Sequence, residues 1–174
     1  MTHNSNAEKI IVIGCPGSGK STFARRLKDA TGLPLCYLDM LYWNPDKTTV
    51  SGEVFRERLD SVLREDRWII DGNYSSTLEA RVSVCHRIFF FDLPADVCLE
   101  GVRGRIGKAR PDMPWTETEE DGEFMDFISS FGTDCKPKIL ALLEKYPQKE
   151  VIIFHSRKEA DEYIDNLIDQ RNDP

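Results

Sequence analysis

An apolar, largely β-branched run, Ile10-Ile11-Val12-Ile13, passes directly into Gly14-Cys15-Pro16-Gly17-Ser18-Gly19-Lys20-Ser21-Thr22. Few folds satisfy both halves of that stretch. The run reads as a strand, and the residues after Lys20 read as a helix. Glycines at 14, 17 and 19 let the connecting backbone curl until several N–H groups point inward at one anion. The helix beginning near Lys20 adds its positive N-terminal end. Lys20 can reach β- and γ-phosphates, and the Ser21 hydroxyl can ligate Mg²⁺. A turn that only joined a strand to a helix gives no reason for Lys and Ser to follow the last glycine. The spacing therefore predicts a triphosphate site contacted by Gly14 to Thr22. Cys15 has two readings: a small residue lending only its backbone N–H, or a thiol whose pKa the loop dipoles lower.

Strand-like and helix-like stretches alternate along the chain, which predicts an α/β fold with a parallel sheet. Expected strands are 9–14, 35–39, 67–71, 87–92 and 150–155, apolar enough to be buried on both faces. Expected helices are 20–30, 52–65, 76–83, 95–106, 117–131, 136–146 and 157–170. Gly32 and Pro34 stop the first helix, and Ser51 caps the second. Thr116 with Glu119, and Ser156 with Glu159, have capping-box spacing. The 174 residues suffice for one domain with its own core.

Residues 101–116 break the pattern. Arg103, Arg105, Lys108 and Arg110 sit among glycines and prolines in a chain of net charge −7. Beside a phosphate loop, this reads as a mobile cationic lid that covers the γ-phosphoryl group and expels water. In a parallel sheet, ligands collect at the carboxyl ends of the strands. Asp39 ends the second expected strand, placed either to orient a Mg²⁺-bound water or to accept a hydroxyl proton. Asp71 ends the third as a Walker B-type carboxylate for Mg²⁺. Tyr42 and Trp43 form an acceptor wall or pack under their loop. Asn73 faces the same crevice. Arg81 either grips an anionic acceptor or forms a surface ion pair. Arg157, after the last strand, lies against the base or caps a turn. Trp68 and Trp115 read as packing residues, and Asp92 as structural or a minor ligand neighbour.

An excess of 30 acidic over 23 basic residues argues against broad nucleic-acid binding. No apolar run approaches the ~20 residues of a membrane span. Residues 1–8 are polar and read as a disordered lead-in rather than a signal peptide. The five cysteines are scattered without metal-ligand spacing, as expected of reduced thiols in a cytoplasmic protein.

Taken together, these motifs resemble the nucleoside monophosphate kinase-like group of P-loop NTPases, which includes adenylate and shikimate kinases. More closely, the chain resembles the DNA topology modulation protein family, described as adenylate kinase-related. The narrowing stretches are Asp71-Gly72-Asn73-Tyr74 and Arg110-Pro111-Asp112-Met113; Leu38-Asp39-Met40-Leu41-Tyr42-Trp43 and Phe91-Asp92-Leu93-Pro94 also match. The resemblance implies a five-stranded sheet of order 2-3-1-4-5, an ATP site with Mg²⁺, an acceptor-side segment over 40–66 and an arginine-bearing lid over 103–122. It carries Lys20 and Ser21 to phosphate and Mg²⁺, and Arg105 and Arg110 to the lid. Asn73-Tyr74-Ser75 replaces the Phe-Pro-Arg of adenylate kinases, so their acceptor arginine is missing. Lys136 stands where the pattern has an arginine before Pro137. The expected function is transfer of the γ-phosphoryl group of Mg-ATP, with Lys20, Asp39, Arg105 and Arg110 as catalytic residues. The acceptor would be nucleotide-like, or a small hydroxylated or anionic molecule, near Trp43, Asn73 and Arg81. The alternative is a nucleotide-dependent regulator of DNA topology without efficient phosphotransfer.

Overall fold

The computed structural model describes residues 8–172. The lead-in expected over 1–8 lies outside the described residues, apart from Glu8, which already belongs to the first strand. In chain order the elements are β1 (Glu8–Gly14), α1 (Lys20–Thr31), β2 (Leu35–Tyr37), α2 (Leu38–Tyr42), α3 (Gly52–Leu63), β3 (Arg67–Asp71) and α4 (Ser75–Val84). There follow β4 (Arg87–Phe91), α5 (Ala95–Arg103), α6 (Gly122–Asp134), α7 (Lys136–Glu144), β5 (Glu150–Phe154) and α8 (Arg157–Asn172). The strands form one sheet of order β2-β3-β1-β4-β5, and every pairing is parallel.

The three central strands meet the expectation of burial on both faces: Ile10 to Ile13, Ile69, Ile70 and Ile88 to Phe90 are fully buried. The edge strands do not. β2 is half-buried throughout, and Ile153 of β5 is exposed, because each has a neighbour on one side only. Phe23 of α1 packs edge-on against Phe89, Phe91 and Phe154 at 4.9–5.4 Å, tying α1 to β4 and β5. Buried aromatic pairs of this kind add about 0.5–1.5 kcal/mol each beyond their area.

Register decides what lies at the strand ends. Val12 of β1 is opposite Asp71 of β3, and Asp71 is opposite Tyr37 of β2. Gly14 is opposite Phe91, which is opposite Phe154. The phosphate-loop sequence therefore leaves β1 beside the carboxyl ends of β3 and β4.

Several boundaries follow the local chemistry. The Ser51 side chain accepts from the Val54 N–H, and Gly32 closes α1 by donating to the Lys28 carbonyl. Ser156 accepts from the Glu159 N–H, while the Glu159 carboxylate reaches back to the His155 N–H. Two expectations are corrected. The second strand stops at Tyr37 rather than 39, because Tyr37 already pairs with Asp71, the last residue of β3; Asp39 thus sits in the first turn of α2. The helix expected from 117 begins at Gly122, where Asp121 caps the Phe124 N–H. Glu117, which would have opened that helix, is held instead by Arg105.

Candidate functional site

The loop after β1 has the backbone that its glycines allow. Gly17 has φ +79°, and a Cβ there would stand 2.1 Å from the Cys98 carbonyl of α5. A side chain is thus excluded by conformation and by space. Lys20 Nζ donates to the Cys15 carbonyl across the loop at 3.2 Å. Ser21 Oγ donates to Asp71 Oδ2 at 2.5 Å, which links the start of α1 to the end of β3. Asp71 is buried, and its Oδ1 has no hydrogen-bond partner among the described residues. Burial pushes its pKa up to about 6, against the opposing pull of Lys20 and Ser21.

One cleft of about 1090 Å³ brings together most of the residues singled out by sequence. It is lined by Pro16, Gly17, Gly19, Lys20, Ser21 and Thr22 from the loop, by Asp39 and Trp43 from α2 and its end, and by Asp71 and Asn73 at the end of β3. Arg105, Arg110 and Arg157 complete it. Arg157 donates to the Gly17 carbonyl at 2.8 Å, so its guanidinium lies at one end of the loop. Asp39 also lines the cleft and accepts from the Tyr74 hydroxyl at 2.6 Å. Desolvation raises the Asp39 pKa, and the Tyr74 hydrogen bond works against that rise.

Four expected contacts fall elsewhere. Gly14, Cys15 and Ser18 belong to the loop but do not line the cleft. Of these, Gly14 has its N–H on Asn73 Oδ1 at 2.8 Å and its carbonyl on Asn73 Nδ2. Of the two readings of Cys15, the lowered thiol is not met: a hydrogen bond with Cys98 and burial push its pKa up, which leaves the small-residue reading. The fourth is Arg81. It is fully buried and donates to the carbonyls of Gly72, Asn73 and Tyr74, so it holds the β3–α4 loop and neither grips a ligand nor pairs at the surface. Burial lowers its pKa to about 10.

The lid segment also differs in charge from expectation. From Gly104 to Asp121 the chain has no helix or strand, as its glycines and prolines suggest. Its arginines, however, are matched within the segment. Arg103 pairs with Glu120 at 2.7 Å, Arg105 makes two bonds to Glu117 at 2.7 and 2.8 Å, and Arg110 pairs with Asp112 at 2.7 Å. Lys136 pairs with Asp92 at 2.7 Å, away from the cleft.

Sequence reasoning missed Asp112, Glu117 and Trp115. Asp112 is 3% exposed and faces both Arg110 and, at 3.6 Å, Arg25 of α1. Trp115 lies edge-on to Trp43 at 5.4 Å and lines the cleft, whereas Trp68 is core as expected. The Arg110-Pro111-Asp112-Met113 motif was the available signal for Asp112. Nothing marked Glu117 among its acidic neighbours.

No family model matches the chain, and no curated protein matches it. Among solved structures, the fold is similar to shikimate kinase from Bacteroides thetaiotaomicron. The TM-score is 0.57 and the sequence identity 22%, over 94% of this chain and 98% of that one. The chain shares the fold of that structure, which here is a five-stranded parallel sheet flanked by helices. No described helix is long and apolar enough to cross a membrane.

Proposed function

We propose that this protein is an ATP-dependent small-molecule kinase. The observation that carries the reading is the single cleft in which the phosphate-binding loop and Lys20 share space with Asp39 and with lid arginines. A nucleotide-binding protein without transfer chemistry needs the loop but has no use for a carboxylate facing it. In this reading 8–172 form one kinase-like unit, with 40–66 on the acceptor side and 103–122 as the lid.

Backbone N–H groups of the loop residues that line the cleft, Gly17 and Gly19 to Thr22, and the Lys20 ammonium bind the phosphates, and Arg157 lies beside the base. Ser21 and Asp71 are the residues that would hold Mg²⁺: the orphaned, buried Asp71 Oδ1 and the adjoining hydroxyl suit a cation. The ion supplies neutralisation of phosphate charge when bound. The acceptor hydroxyl lies at Asp39, which takes its proton as the new oxygen–phosphorus bond forms and the bond to the β-phosphate oxygen breaks, releasing ADP. Tyr74 keeps the Asp39 carboxylate oriented. Arg105 and Arg110 bear on the charge of the transferring group.

Narrower membership in the DNA topology modulation protein family is supported by work found for its two motifs. Asn73 braces the loop at Gly14, and Asp112 anchors Arg110. The test of the base is Asp39→Asn. It should lower kcat by roughly 10²–10⁴-fold with an alcohol acceptor while leaving ATP affinity unchanged. Unchanged turnover would remove Asp39 from that role.

A further inference from the structure

The loop between β3 and α4, Gly72 to Tyr74, meets α2 at two consecutive residues. A Cβ on Gly72 would stand 2.9 Å from the Leu38 Cβ, so the loop backbone lies directly against the start of that helix. The Tyr74 hydroxyl donates to Asp39 at 2.6 Å. On its other side the loop is tied to the phosphate loop, because the Asn73 side chain bonds both the N–H and the carbonyl of Gly14. The same three residues thus set where Asp39 stands relative to the phosphate loop.

Their conformation needs support. Tyr74 has φ +27° and ψ 80°. A residue other than glycine is strained there, and it persists only where its surroundings over-determine it. On the side-chain end, the Tyr74 ring lies 5.1 Å from Tyr42 and 5.0 Å from Phe55. On the backbone end, the support is Arg81, which is fully buried. Its Nη1 donates to the Gly72 carbonyl at 2.9 Å, and its Nη2 to the carbonyls of Asn73 and Tyr74. Its Nε donates to Thr77 Oγ1 at 3.3 Å, and that hydroxyl donates to the Tyr74 carbonyl at 3.0 Å. Burying a cation is costly. What arginine offers in return is a planar fork of donors that meets several carbonyls at once, which the compact ammonium of lysine does not.

We propose that Arg81 is a positioning residue for Asp39: by holding the carbonyls of Gly72, Asn73 and Tyr74, it keeps the Tyr74 hydroxyl on the Asp39 carboxylate. Tyr74 engages Oδ1, which leaves Oδ2 to take the acceptor's proton in the transfer described above. The assignment deepens the kinase reading, on which the use of Asp39 as a base rests.

The test observes Asp39 directly and needs no turnover. Its readout is the side-chain carboxyl ¹³C resonance of Asp39 at about pH 8, above the carboxylate range, identified with Asp39→Asn. Tyr74→Phe, which removes only the hydroxyl, should displace that resonance. Arg81→Lys keeps the charge but loses the fork, and should displace it in the same direction. Adding Tyr74→Phe to Arg81→Lys should then move it by about half or less of the displacement seen in the unaltered chain, because residues acting through one another are not additive. Lys20, Arg110 and Asp112, the other charges that bear on Asp39, are unaltered in every variant. A larger displacement in the double variant, or a resonance that Arg81→Lys leaves in place, overturns the proposal: Arg81 would then lower the melting temperature without reaching Asp39. Should Arg81→Lys fail to fold, Thr77→Val decides instead. It removes the hydroxyl between Arg81 and the Tyr74 carbonyl and should give a smaller displacement in the same direction; none would overturn the proposal. In turnover, Arg81→Lys should lower kcat about tenfold or more and raise KM for ATP by less than that. The reverse split would overturn the proposal. An unaltered chain that transfers no phosphoryl group would end the kinase reading and leave the Arg81 assignment standing on the resonance.

Discussion

The phosphate loop and the lid face one another across the same cleft, and they are built on opposite principles. The loop is specified by backbone. Its glycines, its strand and its helix are contiguous in sequence, and α5 packs against it so closely that a Cβ on Gly101 would stand 2.1 Å from the Gly17 carbonyl. The lid has no regular backbone between Gly104 and Asp121 and is held by ion pairs between side chains. Backbone geometry fixes the shape of the loop whatever side chains surround it. The irregular segment depends on its paired side chains, so single substitutions there should change it more readily.

The contrast can be broken at several points. The largest effect should come from Gly101→Ala. Alanine favours a helix by about 0.5–1 kcal/mol over glycine, yet here its methyl has no room. Net destabilisation of roughly 3 kcal/mol or more, read from urea unfolding, is expected with loss of ATP affinity. A stabilised variant would show that the loop is not fixed by its neighbour.

Next in size is the pH dependence set by Asp71. Its folded pKa of about 6 exceeds the usual carboxylate value near 4. The folded chain therefore binds more protons than the unfolded chain between those values, and stability falls as pH rises through that window. The difference of about 2 units corresponds to about 3 kcal/mol at most for the metal-free protein. Asp71→Asn should remove that slope, and Mg-ATP should reduce it in the unaltered chain. An unchanged slope in the variant would place the titration elsewhere.

The smallest effect on stability belongs to the lid. Glu117→Gln should cost about 1–2 kcal/mol, because it breaks a two-bond pair of largely buried side chains but keeps a neutral acceptor for Arg105. It should nevertheless alter KM for ATP, since Arg105 loses its resting partner. A large loss of stability would make the lid part of the core architecture and erase the contrast.

How far each region was legible in the sequence follows from the same difference. The loop, the strand order and the place of Asp71 were readable because local spacing and parallel topology dictate them. Asp39 does line the cleft, though from the first turn of α2 rather than from a strand, because β2 stops where β3 stops. The lid was readable as irregular but misread as cationic: whether Arg105 meets solvent or Glu117 depends on how an irregular segment folds back on itself. Arg81 was misread for a similar reason. A helix position does not reveal that its side chain turns inward to satisfy three carbonyls, and the same holds for Trp115, whose ring borders the cleft rather than the core.

The central claim is that loop and lid together move a phosphoryl group rather than merely hold a nucleotide. The most direct test is the fate of γ-labelled ATP incubated with Mg²⁺, the protein and a panel of nucleotide-like and small hydroxylated or anionic compounds, with Lys20→Ala alongside. The account predicts label on an acceptor, reduced by roughly 10²-fold or more in the variant. Label that remains on ATP, or leaves only as inorganic phosphate with every acceptor, would contradict it.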